Sequence, residues 1–315
     1  MKRKMEVSEL IFKIISYVLL IAFALMCVYP FIYAISSSFS SAEAIKTGSV
    51  ILLPIGAHVQ AYKHVLLDNM FWVSYANTLF VALLGTVWCL VYTILGAYAL
   101  SKKRLMGRHG FNFFLVFTMW FSAGIVPQYL NYQATGDILA SIAGQAYGNI
   151  DQKWLIIIAM GMNATNVILL RNTFEGVPSE IEEAARIDGA TEMQVLFNVY
   201  IPMSKATIAT VALFFGISRW NGYFWSMKMM PDQTYSWPVQ VKIRDFIDTY
   251  SGLVEVPKTD SPDAWQTVSS VDYSKASIMS VVYAMVICGV IPILAIYPFI
   301  QKYFAKGVNM GGVKE

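Results

Sequence analysis

Six stretches of this chain are apolar for long enough to cross a hydrocarbon layer, and no other feature narrows the possible folds so far. They fall at residues 11–35, 71–100, 111–130, 154–170, 206–229 and 277–300. A bilayer core about 30 Å thick is spanned by roughly 20 residues of α-helix. Lipid offers no partner to a backbone N–H or C=O, so each stretch must satisfy its own backbone as helix. Only 14% of residues are charged, where soluble domains carry about 25%. The chain reads as an all-α membrane protein with six transmembrane helices. Residues 1–70 read as an N-terminal transmembrane helix and outer loop, 71–304 as a core of five helices, and 305–315 as a tail. The first stretch follows Lys2, Arg3 and Lys4 as a signal peptide would, but it is too long and lacks a clear cleavage site. It is read as a retained span.

Several chemistries drop out. The net charge of +3 is small and dispersed, which does not fit nucleic-acid binding. Cys27, Cys89 and Cys288 each sit in an apolar stretch without metal-ligand spacing and read as small buried hydrophobes. His58, His64 and His109 are scattered. There is no G-x4-G-K-[ST] phosphate loop, no G-x-S-x-G and no H-E-x-x-H. No catalytic residue, metal or bound cofactor is expected, and no means of hydrolysing ATP within this chain. Asp and Glu avoid the apolar stretches, which argues against an ion-coupled carrier.

Orientation follows from Lys and Arg placement. With the N-terminus inside, the short loop carrying Lys102, Lys103, Arg104 and Arg108, and no acid, lies in the cytoplasm. Both termini are then cytoplasmic, and residues 36–70, 136–151 and 231–274 lie outside. In the last of these, Val239, Ile243, Phe246, Ile247 and Tyr250 form an apolar helical stripe. It suits a helix at the outer membrane surface or a docking element for an external partner.

The one long polar and well-patterned tract, residues 178–203, falls between two apolar stretches on the cytoplasmic side. Ser179 with Glu182, and Thr191 with Gln194, have capping-box spacing, so two short helices are expected. Gly189 between them is placed to end the first helix in a left-handed conformation, and Pro202 to stop the second. Ile181, Ala184 and Ala185 form a small-residue face on the first helix. Met193, Leu196, Phe197 and Tyr200 form an apolar stripe on the second.

Polar groups at membrane depth usually face a bundle interior. Asn77, Asn163, Asn166, Arg219, Trp220 and Asn221 are therefore candidates for lining a substrate path. Amides and a guanidinium beside aromatic rings suit sugar recognition, and Arg219 would favour an acidic glycan. Trp220, Tyr223 and Trp225 suit a membrane interface equally well, and Arg219 can also snorkel outward.

Glu183-Ala184-Ala185, three residues, Gly189, nine residues and Val199-Tyr200-Ile201-Pro202 resemble the EAA motif of ABC-importer permeases, E-A-A-x3-G-x9-I-x-L-P, with Val for Ile and Ile for Leu. The runs 121–127, 219–221 and 297–308 resemble the carbohydrate-uptake branch, the maltose, multiple-sugar and oligosaccharide permeases, and within it the second permease of the heterodimer. The resemblance implies a type I permease fold with cytoplasmic coupling helices. It implies assembly in the cell membrane with a homologous permease, two ATPase subunits that bind ATP and Mg, and an extracellular or periplasmic solute-binding protein. The implied cargo is an oligosaccharide or polysaccharide fragment; a permease for peptides or amino acids is the alternative. Glu183, Ala184, Ala185 and Gly189 are the implied ATPase-coupling residues, with Glu183 the polar contact.

Overall fold

A computed structural model describes residues 7–121, 123–146, 150–254 and 278–307. Readings that fall on Lys2–Lys4, Ser122, residues 147–149, residues 255–277 and the tail beyond 307 lie outside the described residues. Among the described residues the regular structure is entirely helical. Three helices are long and apolar enough to span a bilayer alone: α1 (Val7–Phe39), α4 (Asn69–Ser101) and α15 (Ile278–Gly307). Short α2 (Ala42–Lys46) and α3 (Gln60–Leu67) lie between the first two.

The other three apolar stretches were expected as single helices and are broken. The third is α5 (Arg108–Trp120) and α6 (Ile125–Ala143), separated at Gly124, whose φ of +85° a side chain would resist. The fourth is α7 (Lys153–Ala159) and α8 (Ala164–Glu175), bent by 49°. Asn163 starts α8 by accepting a hydrogen bond from the Asn166 backbone N–H at 3.3 Å. The fifth is α12 (Lys205–Trp220), which meets the preceding segment at 86° and is followed by α13 (Tyr223–Met229). Counted as bent pairs, the spans number up to six.

The polar tract contains α9 (Ser179–Ile187), α10 (Glu192–Val195), a π turn (Leu196–Tyr200) and α11 (Ile201–Met203). Pro202 does not stop the segment; the chain runs on to Met203 and turns at Ser204. Proline lacks the N–H that would close a bond to Asn198, and the Ile201 N–H reaches back five residues to Leu196 O. The widened turn absorbs the proline instead of ending the helix.

The chain divides into two compact units. The first comprises residues 1–71 and 243–291. In it the end of α1 is tied to the following loop and to the start of α15 by buried serines. Ser36 Oγ donates to Leu52 O at 2.6 Å, Ser40 Oγ accepts from the Ile55 N–H at 3.1 Å, and Ser280 Oγ donates to Ser40 O at 3.1 Å. The second comprises residues 72–242 and 292–315 and holds the polar tract and the break between α7 and α8. One core cluster of it packs Ala97, Tyr98 and Leu100 of α4 against Val167, Leu170 and Phe174 of α8 and Val195, Leu196 and Tyr200 of the polar tract. After α13, α14 (Val239–Val254) begins with Val239 fully buried.

Candidate functional site

The first feature is the elbow around Gly189. Gly189 has φ +82°. Its N–H donates to Arg186 O at 3.0 Å, and the Ala190 N–H donates to Ala185 O at 3.0 Å. These two bonds close the end of α9 as a Schellman motif. Thr191 and Gln194 then form a full capping box on α10. The Ser179 capping box does not form. Pro178 occupies the cap position with neither a side-chain acceptor nor an N–H, so Ser179 becomes the first residue of α9. The apolar stripe of the second helix also divides. Val195 at the end of α10 and Leu196 and Tyr200 of the π turn enter the core, while Met193 and Phe197 are 56% and 61% exposed. With Ile187, 87% exposed at the elbow, they leave apolar surface facing outward. Ala184 and Glu183 are exposed, and Ala185 is half-buried against the core cluster.

Glu182, not Glu183, turns inward. Its carboxylate takes Lys102 Nζ at 2.7 Å, Arg186 Nη2 at 2.6 Å and the Tyr200 hydroxyl. Arg186 continues to Glu192 at 2.9 Å, and Glu192 accepts the Tyr98 hydroxyl at 2.9 Å. Arg108 pairs with Glu175. Lys102 and Arg104 of the cation-rich loop after α4 thus meet Glu182 and Glu192 of the polar tract, which places the loop and the tract at the same end of this unit. Burial alone raises the pKa of Glu182. Hydrogen bonds from Lys102 and Tyr200, with the charges of Lys102 and Arg186, outweigh it and bring the carboxyl down to about 2. A folded-state pKa below the ordinary 4.5 gives stability that is complete above that value and lost as pH falls toward 2. Glu182→Gln is expected to cost about 2 kcal/mol at neutral pH, less than a fully buried pair would because one side is open to water. Thermal unfolding in detergent checks this: the gap between wild type and variant should narrow as pH is lowered from 5 to 3, about the range of that titration.

The second feature is a cavity of about 500 Å3 at the break between α7 and α8. Tyr132, residues 159–163, Thr165 and Asn166 line it, with Phe214, Phe215, Ser218 and Arg219 from α12. Its volume lies in the range of small-molecule sites, about 300–1,000 Å3. A helix that stops leaves its last carbonyls without N–H partners. Here side chains from two other helices supply them. Arg219 is only 7% exposed; its guanidinium donates to Met160 O, to Ile156 O at 3.5 Å and to Cys89 Sγ at 3.0 Å. Trp88 Nε1 donates to Ile158 O at 3.4 Å. Gly85 of α4 leaves room for the arginine stem, since a Cβ there would sit 3.3 Å from Arg219 Cδ. Arg219 does not snorkel; it holds a broken helix.

The six path candidates do not converge. Asn163, Asn166 and Arg219 line the cavity. Asn77 donates to Tyr235 O at 2.7 Å and to Trp237 O at 3.2 Å, and accepts from Lys153 Nζ at 3.0 Å. Those bonds anchor the segment before α14. Trp220 is buried edge-on against Tyr75, and Asn221 is an exposed residue at the end of α12. Tyr132, Ser218 and the backbone of 160–162 are cavity residues that sequence reasoning passed over. Only the Gly161 break gave a local signal.

An elbow of short helices next to broken spans with a cavity at their break characterises a helical membrane transport protein. Residues 99–310 match the family described as binding-protein-dependent transport system inner membrane component, and the chain belongs to that family. It is 34% identical over 96% of its length to the polygalacturonan/rhamnogalacturonan transport system permease protein YtcP of Bacillus subtilis, covering 98% of that protein. It is 32% identical to Protein LplC of the same organism, over 91% of this chain and 89% of that one. Its fold matches a chain in the crystal structure of a bacterial ABC transporter involved in the import of the acidic polysaccharide alginate. The TM-score is 0.79 at 40% identity, covering 96% of this chain and all of that one.

Proposed function

We propose that this chain is the permease subunit of a binding-protein-dependent ABC importer for oligosaccharides or polysaccharide fragments. The observation that carries the reading is the 40% identity, over 96% of the chain, to a subunit of an alginate importer. The chain forms half of the path, and a homologous second permease forms the other half. ATP and Mg are bound by two partner ATPases on the cytoplasmic side, where the elbow docks. A solute-binding protein delivers cargo from outside. Glu183, Ala184, Ala185 and Gly189 present the docking face, and the exposed Ile187, Met193 and Phe197 add apolar contact to it. Among the described residues that line the cavity none is a carboxylate, so none of them repels an acidic sugar.

A tagged copy of this chain, purified from its native membrane, is expected to bring with it one further permease and an ATPase. Reconstituted with its binding protein, the complex is expected to take up uronate-containing or neutral oligosaccharides and to exclude peptides and amino acids. Uptake of peptides without sugars, or purification without an ATPase, would sink the reading.

A further inference from the structure

We infer that Lys102 is the positioning residue that makes the coupling elbow move as one body with α4 and α8. The inference rests on the proposed docking of an ATPase at the elbow.

Three rings meet where these elements join: Tyr98 from α4, Phe174 from α8 and Tyr200 from the π turn. They are 9%, 1% and 4% exposed, and each pair is edge-to-face, with centroids 5.1, 5.5 and 6.4 Å apart. Edge-to-face packing fixes relative orientation as well as distance. Lys102 is the first residue after α4, and its Nζ lies 4.2 Å from the Tyr98 ring centroid and 3.9 Å from that of Tyr200. The same ammonium binds Glu182 of α9 at 2.7 Å. One cation therefore touches a span, the π turn and the coupling helix at once. Tyr200 ties back to Glu182 through its hydroxyl, closing the loop.

The geometry gives the arrangement a direction. If α9 is pulled, Glu182 draws Lys102, and Lys102 cannot leave without exposing two ring faces and a carboxylate. The rings then carry the displacement into α4 and α8. The α8 helix begins at the break that lines the cavity, so its far end is where the path is shaped. Without the latch, α9 can follow the ATPase while α4 and α8 stay behind.

Ring faces attract cations and repel carboxylates. An ordinary ion pair tolerates exchange of its charges; this one does not, because a glutamate at 102 would face two π clouds. The full transporter in proteoliposomes, with binding protein and cargo, provides the test. Lys102→Met is expected to retain ATPase co-purification and stimulated hydrolysis while cargo moved per ATP falls about tenfold, within the range of coupling changes along such networks. Lys102→Arg should remain within about twofold of wild type, since guanidinium keeps both the ion pair and the ring contacts. The exchange Lys102→Glu with Glu182→Lys should stay defective. If Lys102→Met fails to assemble, Tyr200→Phe keeps the ring, removes only its bond to Glu182 and should lower cargo per ATP about threefold. Wild-type cargo per ATP in Lys102→Met, or in Tyr200→Phe where Lys102→Met does not assemble, overturns the inference, as does full rescue by the exchanged pair. Absence of the ATPase from wild-type preparations overturns the docking reading instead.

Discussion

Replacing Gly189 by aspartate, or Glu183 by lysine, will separate ATP hydrolysis from uptake while the protein still inserts and assembles. The Gly189 backbone is left-handed, and two hydrogen bonds depend on that conformation. A Cβ there would meet nothing within 4 Å, so the cost is not a clash. It is the backbone penalty of roughly 1–2 kcal/mol for a side chain in the left-handed region, lower for aspartate than for most residues. That is too little to unfold the chain, yet enough to re-aim α9, whose proposed docking face is only a few residues long. Glu183→Lys leaves the fold alone, because Glu183 is exposed and forms no ion pair among the described residues. On the proposed docking, it reverses the charge that the elbow offers to the ATPase. Uptake should fall at least about tenfold in each variant, the size of a 1.4 kcal/mol coupling loss. Normal uptake with normal cargo-stimulated ATPase in both would refute the role given to the elbow.

Arg219→Met will reduce uptake of acidic and neutral oligosaccharides alike, and will lower the stability of the chain itself. The guanidinium satisfies Met160 O and Ile156 O at a helix end inside the membrane domain. An orphaned carbonyl costs about 1–3 kcal/mol, and lipid supplies no substitute. The sum exceeds what a lost substrate contact removes, so the defect should appear in thermal unfolding without cargo. Lysine offers one compact head where the arginine fork spans two carbonyls and a thiol, so Arg219→Lys should recover part of the stability. Selective loss of acidic cargo at unchanged stability would instead make Arg219 a direct ligand.

The legible part of this protein was what neighbouring residues decide among themselves. Six apolar stretches were visible because a span is a local count of side chains. The elbow was visible because Gly189, Thr191 and Gln194 act within a few residues of each other. The Ser179 box was misread because its spacing ignored Pro178, which can neither cap nor be capped. The stripe at Met193 and Phe197 was misread because a regular period was assumed across a segment that Pro202 widens.

The rest was beyond any local rule. The sequence by itself determined the helical membrane architecture, the place of the elbow and the absence of a phosphate loop, since each follows from side chains a few residues apart. Only the tertiary structure decided that Glu182 and not Glu183 faces inward, that Lys102 sits between two rings, and that Arg219 holds α7 rather than reaching for water. Glu182 finds its lysine 80 residues away, and Arg219 finds its carbonyls 59 and 63 residues away. A charged group chooses its partner by what packing brings within about 3 Å of it, and the spacing of residues along the chain does not contain that information.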